Sequence, residues 1–259
     1  MKMQNSSTIS EKCAFLADYA SWLWGCGATC ARITKNTARI ARALGIDCEL
    51  TVMPSHVELS LAGADGADAA VYTRRTGHSG ISFDINARLS RLSWEIADGL
   101  VDFPEAVRRF DEIKRTRPTG QWEVLLLVGP ANAAFCRLFG GDWAAMLTVL
   151  VATLAGYRLK QTMIADGRDL RLTFLCAAFF SAAISAGAWI FGWGATPDIA
   201  LATSVLYLIP GVPYINAVSD LMAKHYLCAF SRFMDACVLT ACLSAGLCAG
   251  MFILGLEKF

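Results

Sequence analysis

Leu208-Ile-Pro-Gly-Val-Pro-Tyr-Ile-Asn-Ala-Val-Ser-Asp220 is the stretch on which the reading of this chain turns. It falls inside an apolar segment, about Ile199–Met222, long enough to cross a hydrocarbon core of about 30 Å at about 1.5 Å per helical residue. Pro210 and Pro213 each remove a backbone donor and crowd the preceding turn, so a helix drawn through the segment breaks there. Broken helices at membrane depth expose backbone groups, which have to be buried in protein or line a cavity. A half-helix starting near Pro213 aims its positive dipole end at the break, where it can anchor a carboxylate. Asn216 and Asp220 lie four residues apart and share a face of that half-helix. Pro210, Gly211, Pro213, Asn216 and Asp220 are therefore the candidate substrate-binding residues. Asp220 is also the candidate for proton linkage, because a carboxyl taken out of water favours its neutral form. The competing reading is a plain proline kink, with Asp220 at the membrane edge and paired to Lys224 one turn on.

Outward from this stretch, the charge is distributed unevenly. The 259 residues are 55% hydrophobic and 17% charged, against about 25% charge in soluble globular chains. Residues 1–120 hold 15 of the 23 Lys and Arg and 14 of the 22 Asp and Glu. The first part reads as an ordinary soluble domain and the remainder as membrane, with the boundary at residues 117 and 118. Five apolar segments can be drawn after it: about Trp122–Leu138, Trp143–Tyr157, Leu172–Trp193, Ile199–Met222 and Ala236–Leu256. The first two are short and are read as spans because the basic residues alternate. Clusters at Arg108–Arg117, Arg158–Arg171 and Lys224–Arg232 mark alternate connections. The positive-inside rule then puts the N-terminal domain in the cytoplasm and the C-terminus outside. Trp122, Trp143, Trp189 and Trp193 fit interfacial belts. Asn132, in the first segment, either lines a cavity or bonds a neighbouring helix, and it joins the candidate substrate-binding residues. In the last segment Ala241, Ala245 and Ala249, beside Gly246 and Gly250, recur at four-residue spacing suited to close helix packing.

The N-terminal part, residues 1–117, reads as a small α/β or α+β domain. Phe15, Leu16, Tyr19, Trp22 and Leu23 recur with helical spacing before Gly25 and Gly27. Thr29 is placed to cap a second helix that Gly45 ends. Short strands are expected at Cys48–Met53, His56–Leu61, Ala70–Thr73 and Gly80–Asp84, with a turn at Gly63–Gly66. Helical pattern returns at Ile85–Ala97 and Pro104–Lys114.

Ten cysteines include no Cys-x-x-Cys pair, and most lie in or beside apolar runs, so they read as small hydrophobes. Cys26, Cys30, His56 and His78 lack the tight paired spacing of structural zinc sites. No metal and no cofactor is expected. The sequence holds no Gly-x-Ser-x-Gly, phosphate-binding loop or His-Glu-x-x-His, so no catalytic residue is assigned. A net charge of +1 without a charged tail gives no reason to expect nucleic acid. Met1–Ser10 is polar and does not read as a signal peptide.

Over almost its whole length the chain resembles the threonine/serine exporter family, in the split form that corresponds to the N-terminal half of the fused transporters. The likeness is carried by Gly27-Ala28 and the helix to Arg42-Ala-Leu-Gly45, by Phe135-Cys-Arg-Leu138 and Gly140-Gly-Asp-Trp143, and above all by Leu208–Asp220. The resemblance implies a cytoplasmic domain, five membrane helices and a bacterial inner-membrane location. It also implies a hetero-oligomer with a companion subunit that carries the other transmembrane half. It further implies a secondary transporter exporting threonine and serine or succinate-like dicarboxylates. A membrane-anchored enzyme acting through the soluble domain, or an accessory subunit without its own substrate path, are the alternatives. The alternating clusters give a direct check. Cysteines placed in Gly194–Thr196 are expected to label from outside the cell and one at Gly167 is not; labelling of both from one side would rule out the five-span topology.

Overall fold

The computed structural model describes residues 9–61, 70–77, 80–116 and 119–255. The expected turn at Gly63–Gly66 and His78 lie outside the described residues, as do Arg117 and Pro118 at the expected domain boundary. The chain divides into two compact units: Met1–Arg117 with Val212–Phe233, and Pro118–Gly211 with Met234–Phe259.

The first unit opens with α1 (Ile9–Gly25) and α2 (Cys30–Ala43). A three-stranded antiparallel sheet follows, β1 (Cys48–Val52), β2 (His56–Leu61) and β3 (Val71–Arg75) in that spatial order. Then come α3 (Phe83–Ala97) and α4 (Phe103–Lys114). Its core takes Leu16, Tyr19 and Leu23 from α1, Ile33 and Ile40 from α2, Val57 and Leu59 from β2, and Leu89 and Leu92 from α3. Each such side chain contributes about 1.5–3 kcal/mol by leaving water. The Tyr19 hydroxyl donates to the Leu89 carbonyl at 2.8 Å, so the polar tip of a fully buried ring is satisfied. The antiparallel sheet makes this an α+β arrangement.

Local sequence sets the ends of these helices. Thr29 caps α2, accepting from Arg32 N, and Gly45 follows it with φ of 69°. Pro104 sits in the first turn of α4 behind the N-cap Asp102. The strand expected at Gly80–Asp84 does not form. Ser82 instead caps α3, its hydroxyl accepting from Ile85 N, and its own N–H donates to the Cys26 carbonyl at 3.1 Å. A serine two residues before an Asp in a first helical turn is better satisfied as a cap than in a ladder.

The second unit contains α5 (Gln121–Leu138), α6 (Trp143–Ala165), α7 (Leu170–Ile190), α8 (Pro197–Thr203) and a 3-10 turn at Leu206–Leu208. The chain continues through α9 (Gly211–Met222) to α10 (Tyr226–Ile253). Among the described residues two helices, α7 and α10, are long and apolar enough to cross a membrane. The pair Pro197–Leu208 and Gly211–Met222 adds a third only if a chain bent by 60° at its break counts as one span. The break expected at Pro210 is therefore present. α6 runs on to Ala165, past Arg158 and Lys160, where the apolar pattern had suggested an end near Tyr157; charged residues at a helix end continue it as readily as apolar ones.

Small residues set the contacts in this unit. Ala177, Ala178, Ala182 and Ala186 of α7 are fully buried. Gly246 of α10 packs so tightly on α7 that an added Cβ would collide with the Leu175 carbonyl oxygen, and one at Gly250 would lie 2.8 Å from Ala182 Cβ. Close backbone approach of this kind is the main attraction available between helices in lipid. Gly187, also in α7, has nothing within 4 Å of its Cβ position. Gly246→Leu is expected to destabilise the protein by about 1–3 kcal/mol, read as a lowered unfolding temperature in detergent, whereas Gly187→Ala is neutral or stabilising.

Candidate functional site

α9 is polar inside and apolar outside. Asn216, Ala217 and Asp220 are buried, while Ile215, Val218, Leu221 and Met222 are exposed. A soluble helix reverses this arrangement; a helix that meets lipid or an apolar partner does not. The burial of Asp220 is complete, at 0% exposure, and a carboxylate in that position needs donors and a counter-charge.

Both are supplied within the first unit. The backbone N–H of Cys30, the first residue of α2, donates to Asp220 Oδ1 at 2.7 Å. The Cys30 thiol lies 3.3 Å from Oδ2. Arg232, in the second turn of α10, brings Nε to 3.3 Å from the same oxygen. That ion pair is not aligned as a hydrogen bond, since Nε is buried and has no acceptor in line. Arg232 Nη2 donates to the Ala28 carbonyl at 2.7 Å, and the guanidinium sits 4.2 Å from the centre of the Trp24 ring. Asn216 Nδ2 donates to the Gly27 carbonyl at 2.8 Å. The loop between α1 and α2 thus offers two carbonyls and one helix-end amide, and α9 and α10 answer with an amide, a guanidinium and a carboxylate.

The loop's geometry explains its composition. Gly27 has φ of 84°, a left-handed conformation that a side chain disfavours, and an added Cβ would press on Ile81 at 3.2 Å. The Asp220 carboxylate sits at the positive end of α2, where an anion is stabilised by the helix amides and dipole. Cys30 is held as a neutral thiol: its hydrogen bond with Cys228, its burial and the neighbouring Asp220 charge all push its pKa up. Burial pushes the Cys26 thiol up to about 11. Neither is an activated nucleophile. Cys26 and Cys30 also join no group of three or more metal-ligating side chains among the described residues.

Of the residues singled out in the sequence, Asn216 and Asp220 come together here, facing one loop. Pro213 lies in the first turn of α9. Pro210 and Gly211 stand at the break, where Gly211 N donates to the Ile209 carbonyl at 2.8 Å. Asn132 belongs to the second unit. It is buried, and its amide donates to Thr153 Oγ1 at 2.7 Å and to the Thr203 carbonyl at 3.1 Å, tying α5 to α6 and α8. In the same unit Ser181 bonds the Tyr207 hydroxyl at 2.9 Å, and the Ser185 hydroxyl is buried without a partner. Lys224, the alternative partner considered for Asp220, instead closes α9 in a left-handed conformation with φ of 64°. Sequence reasoning weighed Cys30 only as a metal ligand and Arg232 only as part of a basic connection, and paired neither with Asp220. The usable signal was that an acidic residue in an apolar segment needs a cation, and Arg232 and Lys224 were both near in sequence.

A family model described as a threonine/serine exporter, ThrE, matches residues 14–254. The chain belongs to the threonine/serine exporter family. Within that family it is 30% identical over 234 residues to "Probable succinate transporter subunit YjjP" of Klebsiella aerogenes, covering 89% of each chain. To the protein of the same name in Escherichia coli K12 it is 30% identical over 233 residues, covering 89% of this chain and 90% of that one. It is 27% identical over 232 residues to "Probable threonine/serine exporter" of Mycobacterium tuberculosis, covering 85% of this chain and 42% of that longer one. No solved structure matches. As a member of this family the chain is a transporter-type membrane protein, and its relatives are named as transporters and exporters. The exporter family member's clamp at Asp220 has a measurable signature. Arg232→Met leaves a buried carboxylate without its cation and is expected to cost about 3–5 kcal/mol. Adding Asp220→Asn to that variant recovers much of the loss, and the coupling is read from a double-mutant cycle of unfolding temperatures.

Proposed function

We propose that the chain is one subunit of a secondary transporter that exports small carboxylate-bearing metabolites, threonine and serine or succinate-like dicarboxylates, across the bacterial inner membrane. The companion subunit supplies the other transmembrane half. The observation that carries this reading is α9 itself: it starts at a proline–glycine break and turns Asn216 and Asp220 inward while its outer face is apolar. In an exporter family, a buried acid on a broken helix is a default candidate for the transport path. Pro210, Gly211 and Pro213 set the break, and Asn216 and Asp220 supply the polar groups. Asn132 contributes a further polar position in the second unit. Residues 1–117 form the cytoplasmic part and 118–259 the transmembrane part in this reading, with the C-terminus outside.

The names of two relatives support the pieces separately. The word subunit in "succinate transporter subunit" favours a partner, and succinate and threonine or serine share a carboxylate. Proteoliposomes containing this chain with and without its companion test the proposal by counterflow of threonine, serine and succinate. Transport is expected only when both are present. Asn216→Ala and Asp220→Asn are each expected to weaken it roughly tenfold or more at low substrate, the scale of one hydrogen bond and a helix dipole. Wild-type rates in both variants would move the site elsewhere.

A further inference from the structure

The place that holds Asp220 is equipped as a carboxylate site in its own right. Its donors come from two different helices and are fixed without help from Asp220. Thr29 caps α2, which sets the direction of the Cys30 N–H. Arg232 is anchored by its Nη2 bond to Ala28 and by the Trp24 ring. A helix-end amide beside a guanidinium is a common way for proteins to grip carboxylates. The grip on Asp220 is incomplete: the Cys30 amide makes a good bond, but the buried Arg232 Nε has no aligned acceptor although Oδ2 is 3.3 Å away. Asp220 also rides on a 12-residue helix that starts at a break.

We propose that the N-terminal end of α2 and Arg232 form a carboxylate receptor of which Asp220 is the internal occupant, and that the carboxylate of the transported metabolite takes over the same donors as Asp220 leaves. The proposal rests on the export reading above and adds to it α2 as the place where the substrate carboxylate binds; in it Asp220→Asn lowers transport by removing the charged group that recloses the receptor, not by removing a substrate contact. The exchange replaces one carboxylate by another, so Arg232 is never left buried and unpaired. It also frees α9, because Asn216 and Asp220 are its hydrogen-bonding ties to the Gly27–Cys30 stretch among the described residues. An occupant on the same chain competes at an effective concentration of about millimolar or above, so the receptor opens only to an abundant metabolite. Such a device holds the subunit closed until the exported compound accumulates.

Chemical rescue tests the receptor without any transport measurement. The full-length protein carrying Asp220→Ala is titrated in detergent with sodium acetate against sodium chloride at equal ionic strength. Acetate is expected to raise its unfolding temperature by several degrees more than chloride does. Wild type, whose receptor is filled, and the double variant Asp220→Ala with Arg232→Gln are expected to show no such difference. Equal shifts in all three proteins, or none in Asp220→Ala, overturn the proposal. Should Asp220→Ala not fold, wild type provides the second reading. Alkylation of the buried Cys30, followed by peptide mass spectrometry, is expected to run several-fold faster in millimolar succinate, threonine or serine than in chloride. An unchanged rate with all three overturns the proposal. Failure of rescue alongside working counterflow removes the receptor and leaves the export reading intact, while rescue without counterflow does the reverse.

Discussion

A carboxylate with no exposure to water has to find its charge partners inside the protein, and in the first unit the search ends at the first amide of α2 and at Arg232. Much of the local architecture follows from that need. The chain between α1 and α2 turns through Gly27 so that α2 starts with its amide facing α9. Arg232 lies in the second turn of α10, so the connection between α9 and α10 must reverse tightly, and Lys224 takes a left-handed conformation to do it. Asn216 and the Ala28 carbonyl complete the polar contacts that a buried charge draws around itself. Removing one partner from such a set costs more than the set contributes, which makes the arrangement decisive for which contacts form rather than large in net stability.

The surroundings of this polar centre are ordinary in their physics. The sheet and α1–α4 bury a conventional apolar core, and their surface charges pair locally. Glu105, for instance, is held down to a pKa of about 2 by hydrogen bonds from Arg108 and Arg109. α9 and the start of α10 differ: their outward residues, among them Ile215, Val218, Leu227 and Phe230, are apolar. One unit therefore carries both a surface built for water and a surface built for lipid or an apolar partner. That combination suits a membrane transporter whose polar residues are kept for its interior.

The second unit reaches cohesion by another route. It has few large buried side chains and many alanines and glycines, and its helices approach through them. Its polar contacts, Asn132 with Thr153 and Thr203 and Ser181 with Tyr207, are made between neighbouring helices. In lipid, where apolar side chains gain little by leaving the solvent, close backbone approach and such bonds are what distinguish one packing from another.

Local chemistry was legible in the sequence wherever neighbours in the chain decide the outcome. Thr29 as a cap, Gly45 as a helix end, Pro104 in a first turn and the break at Pro210 depend on residues a few positions away, and each appears where the sequence puts it. The strand pattern at Gly80–Asp84 failed because a serine cap satisfied the same backbone better. Asn216 and Asp220 could be picked out because polar groups in an apolar segment are costly. Their partners could not, because Cys30 is 190 positions from Asp220 and nothing in the spacing of either reveals the other. The sequence by itself determined that a helix breaks at Pro210 and that an acid follows on its apolar second half, in an exporter-like chain, and left open whether that acid is buried or lies at an edge beside Lys224. Only the tertiary structure decided that it is met by the end of α2 and by Arg232 rather than by Lys224, since a low-dielectric interior rewards the donor that arrives with the right geometry and not the charge that is nearest along the chain.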